Sequence, residues 1–115
     1  MEGIKIIFFD VDGTLVDMKK KKISPNTVTA LQRLREKGIR ICMATGRTPV
    51  TVPHFDGVEF DAYLTFNGSF CYDGEGVLFS NPLDGDDVLR LIDNAAALGR
   101  PVSIATRDRV TANGW

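Results

Sequence analysis

An open α/β sheet is the fold class this sequence predicts, and three observations carry it. Short apolar runs recur at Ile4–Phe9, Ile39–Ala44 and Asp61–Phe66. A segment of helical periodicity separates the first two, as expected where a crossover joins parallel strands. The runs lead into Asp10, Thr45 and Asn67, and in open α/β sheets ligands bind beyond the carboxyl ends of the strands.

The first run is nearly continuous and rich in Ile and Phe, which predicts a strand buried on both faces. Gly13 breaks it. Ser24-Pro25 then predicts a helix start, with Ser24 as cap and Pro25 at the first helical position. Val28, Leu31 and Leu34 recur at helical spacing, and Gly38 stands where that helix should stop. Pro49 and Pro53 interrupt any long helix over residues 47–60. After the third run, Ser69–Tyr72 and Val77–Ser80 flank Asp73-Gly74-Glu75-Gly76, a hairpin pattern. Asn81-Pro82 marks a break. Asp84 to Leu98 predicts an amphipathic helix with Asp84 as cap and Val88, Leu91, Ile92 and Ala95 on one face. Gly99 ends it, and Val102–Thr106 and Val110–Thr111 read as two more strands around Arg107-Asp108-Arg109. There is no internal repeat or low-complexity tract.

The 115 residues suffice for one small domain. With 43% hydrophobic and 25% charged residues, the chain has an ordinary globular composition, which excludes disorder for most of it. A net charge of -1 gives no global electrostatic case for a nucleic-acid partner. The one basic cluster, Lys19 to Lys22, reads either as a solvated loop tip or as a rim that attracts anionic substrates. Cys42 and Cys71 lie far apart in apolar stretches without metal-type spacing, as buried thiols in a reducing compartment do. The apolar start is too short for a signal peptide and carries Glu2, and no stretch approaches the ~18 apolar residues of a membrane span. A cytoplasmic protein with no membrane partner is the expectation.

Asp10-Val11-Asp12-Gly13-Thr14 places two carboxylates two residues apart where the first strand ends. Such a pair suits Mg²⁺, which binds through one or two carboxylates plus phosphate oxygens. The cation offsets phosphate charge and lets an anionic carboxylate attack phosphorus. On this chemistry Asp10 is the nucleophile, forming an aspartyl-phosphate, and Asp12 gives a proton to the leaving oxygen and later takes one from water. Gly13 permits the tight turn between them. Thr45 offers a hydroxyl to a phosphate oxygen, and the Gly46 amide a second donor. An EF-hand loop also begins Asp-x-Asp, but Gly13 comes too early and no Glu follows at the twelfth position.

FFDVDGTLVD, ATGR and TFNGS together resemble the haloacid-dehalogenase superfamily, and within it the Cof-type (class IIB) phosphatases. The Asp-x-Asp-Gly-Thr motif is matched in full, Thr45 stands for the Ser or Thr after the second strand, and Asn67-Gly68 matches the Asn-Gly typical of the Cof-type group. The resemblance runs over essentially all of 1–115 in order and spacing. It implies a Mg²⁺-dependent phosphatase of small phosphorylated metabolites, with catalytic and metal-binding Asp10 and Asp12 and with Thr45, Gly46, Arg47 and Asn67 at the substrate phosphate. It further implies a Rossmann-like parallel core over residues 1–80, a β-hairpin flap at about 14–24 around Lys19–Lys22, and the beginning of a C2-type cap over 81–115.

The same resemblance names what this stretch does not carry. No Lys follows Lys37 to support a phosphoryl group after a fourth strand. Gly85-Asp86-Asp87 imitates the family's late acidic motif, but no apolar strand precedes it, so it reads as a helix N-terminus whose acids the dipole favours. The expectation is a chain that ends inside the cap and is inactive alone. Its missing later strands would leave Ile4–Phe9 an open sheet edge prone to self-association. A non-catalytic truncated or swapped chain and a phosphomutase are the alternatives. Arg47 reads either as a phosphate contact or as the partner of a neighbouring acid, and Asn67 either as a site residue or as a left-handed turn residue. His54, the only histidine, reads as a surface residue.

Overall fold

A computed structural model describes residues 3–113; Glu2 and Trp115 lie outside the described residues. Strand β1 (Ile6–Asp10) is followed by helix α1 (Pro25–Glu36), β2 (Arg40–Ala44), β3 (Ala62–Thr65), β4 (Phe70–Asp73), β5 (Gly76–Ser80), helix α2 (Gly85–Ala97), β6 (Ser103–Ala105) and β7 (Val110–Ala112). Single 3₁₀ turns occupy Pro49–Thr51 and Phe66–Gly68.

The first five strands form one sheet in the order β1-β2-β3-β4-β5, and β6 and β7 pair separately. The pairs β1–β2 and β2–β3 are parallel, while β4 and β5 extend the sheet as an antiparallel hairpin beside β3. The hairpin is therefore part of the same sheet, a junction that turn patterns cannot specify. Asp10 lies in register with Ala44, and Ala44 with Leu64. This brings the residues that follow each strand to one edge.

Helix α1 starts as its sequence dictates: the Ser24 side chain accepts a hydrogen bond from the Thr27 amide, with Pro25 in the first turn. It ends before Gly38, whose φ of 80° suits the residue after a C-cap. Leu31 is its one buried residue. It joins Val11, Leu15, Val16, Ile41, Met43, Val52, Val58 and Phe60 in the core.

Strand β1 is not buried on both faces. Ile6 and Phe8 are 43% and 52% exposed, whereas Ile41, Cys42 and Met43 of β2 are buried in succession. The difference is position: β2 has a strand on each side, and β1 is the edge of the sheet. Residues 14–24 form turns with one isolated bridge, Asp12–Val16, rather than a two-stranded flap. Asp17 organises the turn, its carboxylate accepting from the Lys19 and Lys20 amides. His54 is exposed, as expected. No helix among the described residues is long and apolar enough to cross a membrane.

Candidate active site

A pocket of about 270 Å³ opens at the carboxyl ends of β1, β2 and β3, lined by Asp10, Ala44, Thr45, Gly46, Leu64, Asn67 and Gly68. Backbone hydrogen bonds build it. The Thr45 amide donates to Leu64 O at 2.9 Å, the Asn67 amide to Thr45 O at 2.9 Å, and the Phe66 amide to Arg47 O at 3.0 Å. The loops after β2 and β3 are thus joined to each other, and Asp10 comes beside them through the β1–β2 register.

Thr45 is 5% exposed, and its hydroxyl accepts the Arg47 amide at 3.0 Å. Its own O–H remains free to donate. A Cβ at position 46 would crowd its neighbour, standing 3.0 Å from Asn67 Oδ1 and 3.4 Å from Nδ2. Asn67 has φ 57° and Phe66 φ 50°. Asn tolerates the left-handed region; a bulky aromatic there is strained by about 1–3 kcal/mol. Thr65, fully buried, secures this turn by donating from its hydroxyl to Phe70 O at 2.6 Å.

Asp12 stands beside the pocket rather than in its lining. Arg47 grips it with two bonds, Nη2 to Oδ1 at 2.6 Å and Nε to Oδ2 at 3.0 Å. These hydrogen bonds hold the Asp12 carboxyl below the ordinary carboxylate range, against a small desolvation and with help from the charges of Arg47 and Lys21. The pairing of Arg47 with a neighbouring acid, one of its two readings, is thus formed. Arg47 is itself anchored by donating from Nη1 to Thr51 O at 3.0 Å. That anchor went unread in the sequence. Its signal is Thr48-Pro49-Val50-Thr51, a reciprocal capping box in which Thr48 caps the turn.

The two acids differ in what they can offer a cation. Among the described residues no hydrogen bond or ion pair engages the Asp10 carboxylate, whereas both oxygens of Asp12 are taken by Arg47. A free carboxylate at a polar pocket fits a Mg²⁺ that keeps most of its waters. The Asp12 side chain joins it only by releasing Arg47. No group of three or more His, Cys, Asp or Glu residues that could hold a metal ion is formed among the described residues. A larger cleft of about 760 Å³ lies between α1 and residues 55–59. It sits toward the amino ends of β2 and β3, where Arg35 pairs with Asp61 at 3.3 Å, away from the strand-end residues.

Known proteins share the sequence and the fold of this chain. YkrA of Bacillus subtilis (strain 168) is 31% identical over 109 residues, covering 94% of this chain and 42% of that protein. The pyridoxal phosphate phosphatase YbhA of Escherichia coli (strain K12) is 33% identical over 93 residues, covering 77% of this chain and 34% of its own. The solved structure of BT1666, from Bacteroides thetaiotaomicron, superposes with a TM-score of 0.86 at 28% identity over 100% of this chain and 44% of that one. This chain thus spans less than half the length of these relatives. The profile of the haloacid dehalogenase-like hydrolases matches residues 7–114, and the chain belongs to that family.

Proposed function

We propose that this chain forms the nucleophile-bearing part of a Mg²⁺-dependent phosphatase acting on small phosphorylated metabolites. The observation that supports it is the gathering of Asp10, Thr45, Gly46 and Asn67 around one small pocket at the ends of three adjacent strands. At about 270 Å³ it suits a phosphoryl group, and the rest of a substrate must be contacted from elsewhere. Relatives named HMP-PP phosphatase and pyridoxal phosphate phosphatase are consistent with that substrate class.

In this reading an Asp10 oxygen attacks phosphorus, and the ester oxygen departs with a proton from Asp12, leaving an acyl phosphate on Asp10. Water then attacks the same phosphorus, Asp12 takes its proton, and phosphate leaves as the Asp10 carboxylate is restored. Asp12 can serve only once Arg47 releases its oxygens. Thr45 O–H and the Gly46 amide hold phosphoryl oxygens. Mg²⁺, held by the Asp10 carboxylate with an oxygen of Asp12 not engaged in proton transfer, would offset phosphate charge as the anionic nucleophile approaches.

A non-catalytic role is the second reading, favoured by the acid set, which among the described residues stops at two and has one member paired to Arg47. Beryllofluoride with Mg²⁺ separates the two, because it mimics a phosphoryl group on a carboxylate. We expect a bound ¹⁹F resonance that Asp10→Asn removes, together with negligible turnover of p-nitrophenyl phosphate. One missing charge stabiliser alone lowers rates by roughly 10²–10³. No Mg²⁺-dependent adduct, or one that survives Asp10→Asn, would leave the non-catalytic reading standing.

A further inference from the structure

We propose that Lys21 is a specificity residue that pairs with a second anionic group on the departing part of the substrate, so that the site favours phosphoryl compounds whose leaving group is itself negatively charged. The proposal rests on the pocket reading above and narrows its substrate class.

The backbone places the lysine. The Gly13 amide donates to Val16 O at 2.9 Å, and Asp12 and Val16 form a bridge, so the chain doubles back beside the acid. The loop that follows is closed on itself. The Asp17 amide donates to Lys22 O at 3.2 Å, and the Lys21 amide to Asp17 O at 2.6 Å. Met18 Cγ comes to 4.0 Å from where a Cβ of residue 13 would stand, which keeps the loop against the Asp12–Gly13 turn. Lys21 itself has φ 58°. Glycine, asparagine or aspartate serve such a position at less cost when only a turn is needed. The loop thus presents a long cationic side chain where a small turn residue would suffice.

Charge gives the second argument. Lys19, Lys20, Lys21 and Lys22 are all exposed, and none of them enters an ion pair among the described residues. Asp17, the acid within the loop, turns a carboxylate oxygen to the amides of Lys19 and Lys20 instead. Of the four lysines, Lys21 is the one whose charge is felt at Asp12, where it adds to the stronger effect of the Arg47 hydrogen bonds. Arg47 faces the same acid but is tethered to Thr51 O. In the pocket reading Asp12 protonates the departing oxygen, so the leaving group emerges beside Asp12 and toward this loop. An anion on it gains a charge-assisted bond from an ammonium that has no other partner. A neutral leaving group gains nothing there, and the lysine keeps its water.

Methylphosphonate and phosphonoacetate, each titrated with Mg²⁺ into the ¹⁵N-labelled 115-residue chain, test this. Both carry a phosphoryl-like group on carbon, and only phosphonoacetate carries a second anion beyond it. Both should shift the Thr45 and Gly46 amides, and phosphonoacetate should bind roughly three- to fivefold tighter, the size of one exposed charge pair. Lys21→Gln should bring phosphonoacetate down to the affinity of methylphosphonate. Lys19→Gln, in the same loop, should keep the preference. Affinities of the unmodified chain that agree within about 1.5-fold overturn the proposal. So does a preference that survives Lys21→Gln, or one that Lys19→Gln abolishes equally, since that marks a diffuse field and not one residue. In each of these cases the Thr45 and Gly46 shifts leave the pocket reading standing. If neither phosphonate moves those amides, the pocket reading falls and this proposal with it.

Discussion

Helices α1 and α2 are both capped, both amphipathic and nearly equal in length, at 12 and 13 residues, yet they sit in different physical circumstances. Helix α1 lies against the sheet and buries Leu31 to 2% exposure; α2 buries none of its residues, and Leu91 on its apolar face stays 57% exposed. Every buried residue among those described falls between Val11 and Thr65. The apolar face of α2 is patterned at least as clearly as that of α1. Patterning makes a face available for burial, but the stabilisation comes from a surface to receive it. α1 has a sheet of five strands; the strands after α2 are a separate pair, too few to form a core.

The largest expected effect follows from that contrast. Leu31→Ala should cost about 2–5 kcal/mol in urea unfolding, the range for emptying a packed leucine site. Leu91→Ala should stay within about 0.5 kcal/mol, as an exposed substitution does. Equal costs for the two would erase the distinction between the regions and would place α2 inside a core that the described residues do not form.

The same contrast explains how much could be read in advance. Elements whose determinants are local were legible: the Ser24-Pro25 start of α1, the Asp84 cap of α2, whose carboxylate accepts the Asp86 amide at 2.8 Å, and the hairpin around Asp73-Gly76. The meeting of Asp10, Thr45, Gly46 and Asn67 was legible too, because parallel strands align their carboxyl ends. What escaped depends on distant partners. Burial of β1 on both faces was expected from its composition, but edge position decides exposure and composition does not carry it. The pairing of Arg47 with Asp12 joins residues far apart in the sequence, and its anchor on Thr51 O depends on how the turn after it folds. Phe66 carries no turn signal, since nothing about phenylalanine favours a positive φ; the bonds from Arg47 and Thr45 impose it.

A smaller effect tests the exposed edge of the well-packed region itself. β1 pairs on one side only, with β2, so its outer backbone donors and acceptors lack a strand partner among the described residues. Ile6 and Phe8 accompany that edge at 43% and 52% exposure. If a second copy of this chain, carrying the same edge, pairs there, each β1 extends the other's sheet. Sedimentation at neutral pH should show a mass above 12.7 kDa that rises with concentration, and Phe8→Lys should return it toward the monomer. A monomer at every concentration with slowly exchanging β1 amides would mean that the edge is covered within the chain.

The smallest effect compares two thiols across the sheet. Cys42 on the central β2 is 2% exposed, while Cys71 on β4 is only partly buried and donates from Sγ to Gly68 O at 3.4 Å. Burial pushes both thiols above the ordinary range, with the Asp61 charge adding to the shift at Cys42. Thiol labelling requires the thiolate, so the raised values move reaction to higher pH: modification should be slow near neutrality and keep accelerating past about pH 8.5, where a free cysteine would begin to level off. Access then separates the two. Cys71 needs only to release one weak hydrogen bond, whereas Cys42 must wait for β2 to part from β1 or β3, an opening that draws on the stability of the packed region. A disulfide-exchange reagent should therefore modify Cys71 first, and Cys42 at a rate that rises steeply with added urea. If Cys42 reacts as fast as Cys71 without denaturant, then β2 opens easily, and the packed region is no more protected at its centre than at the hairpin beside it.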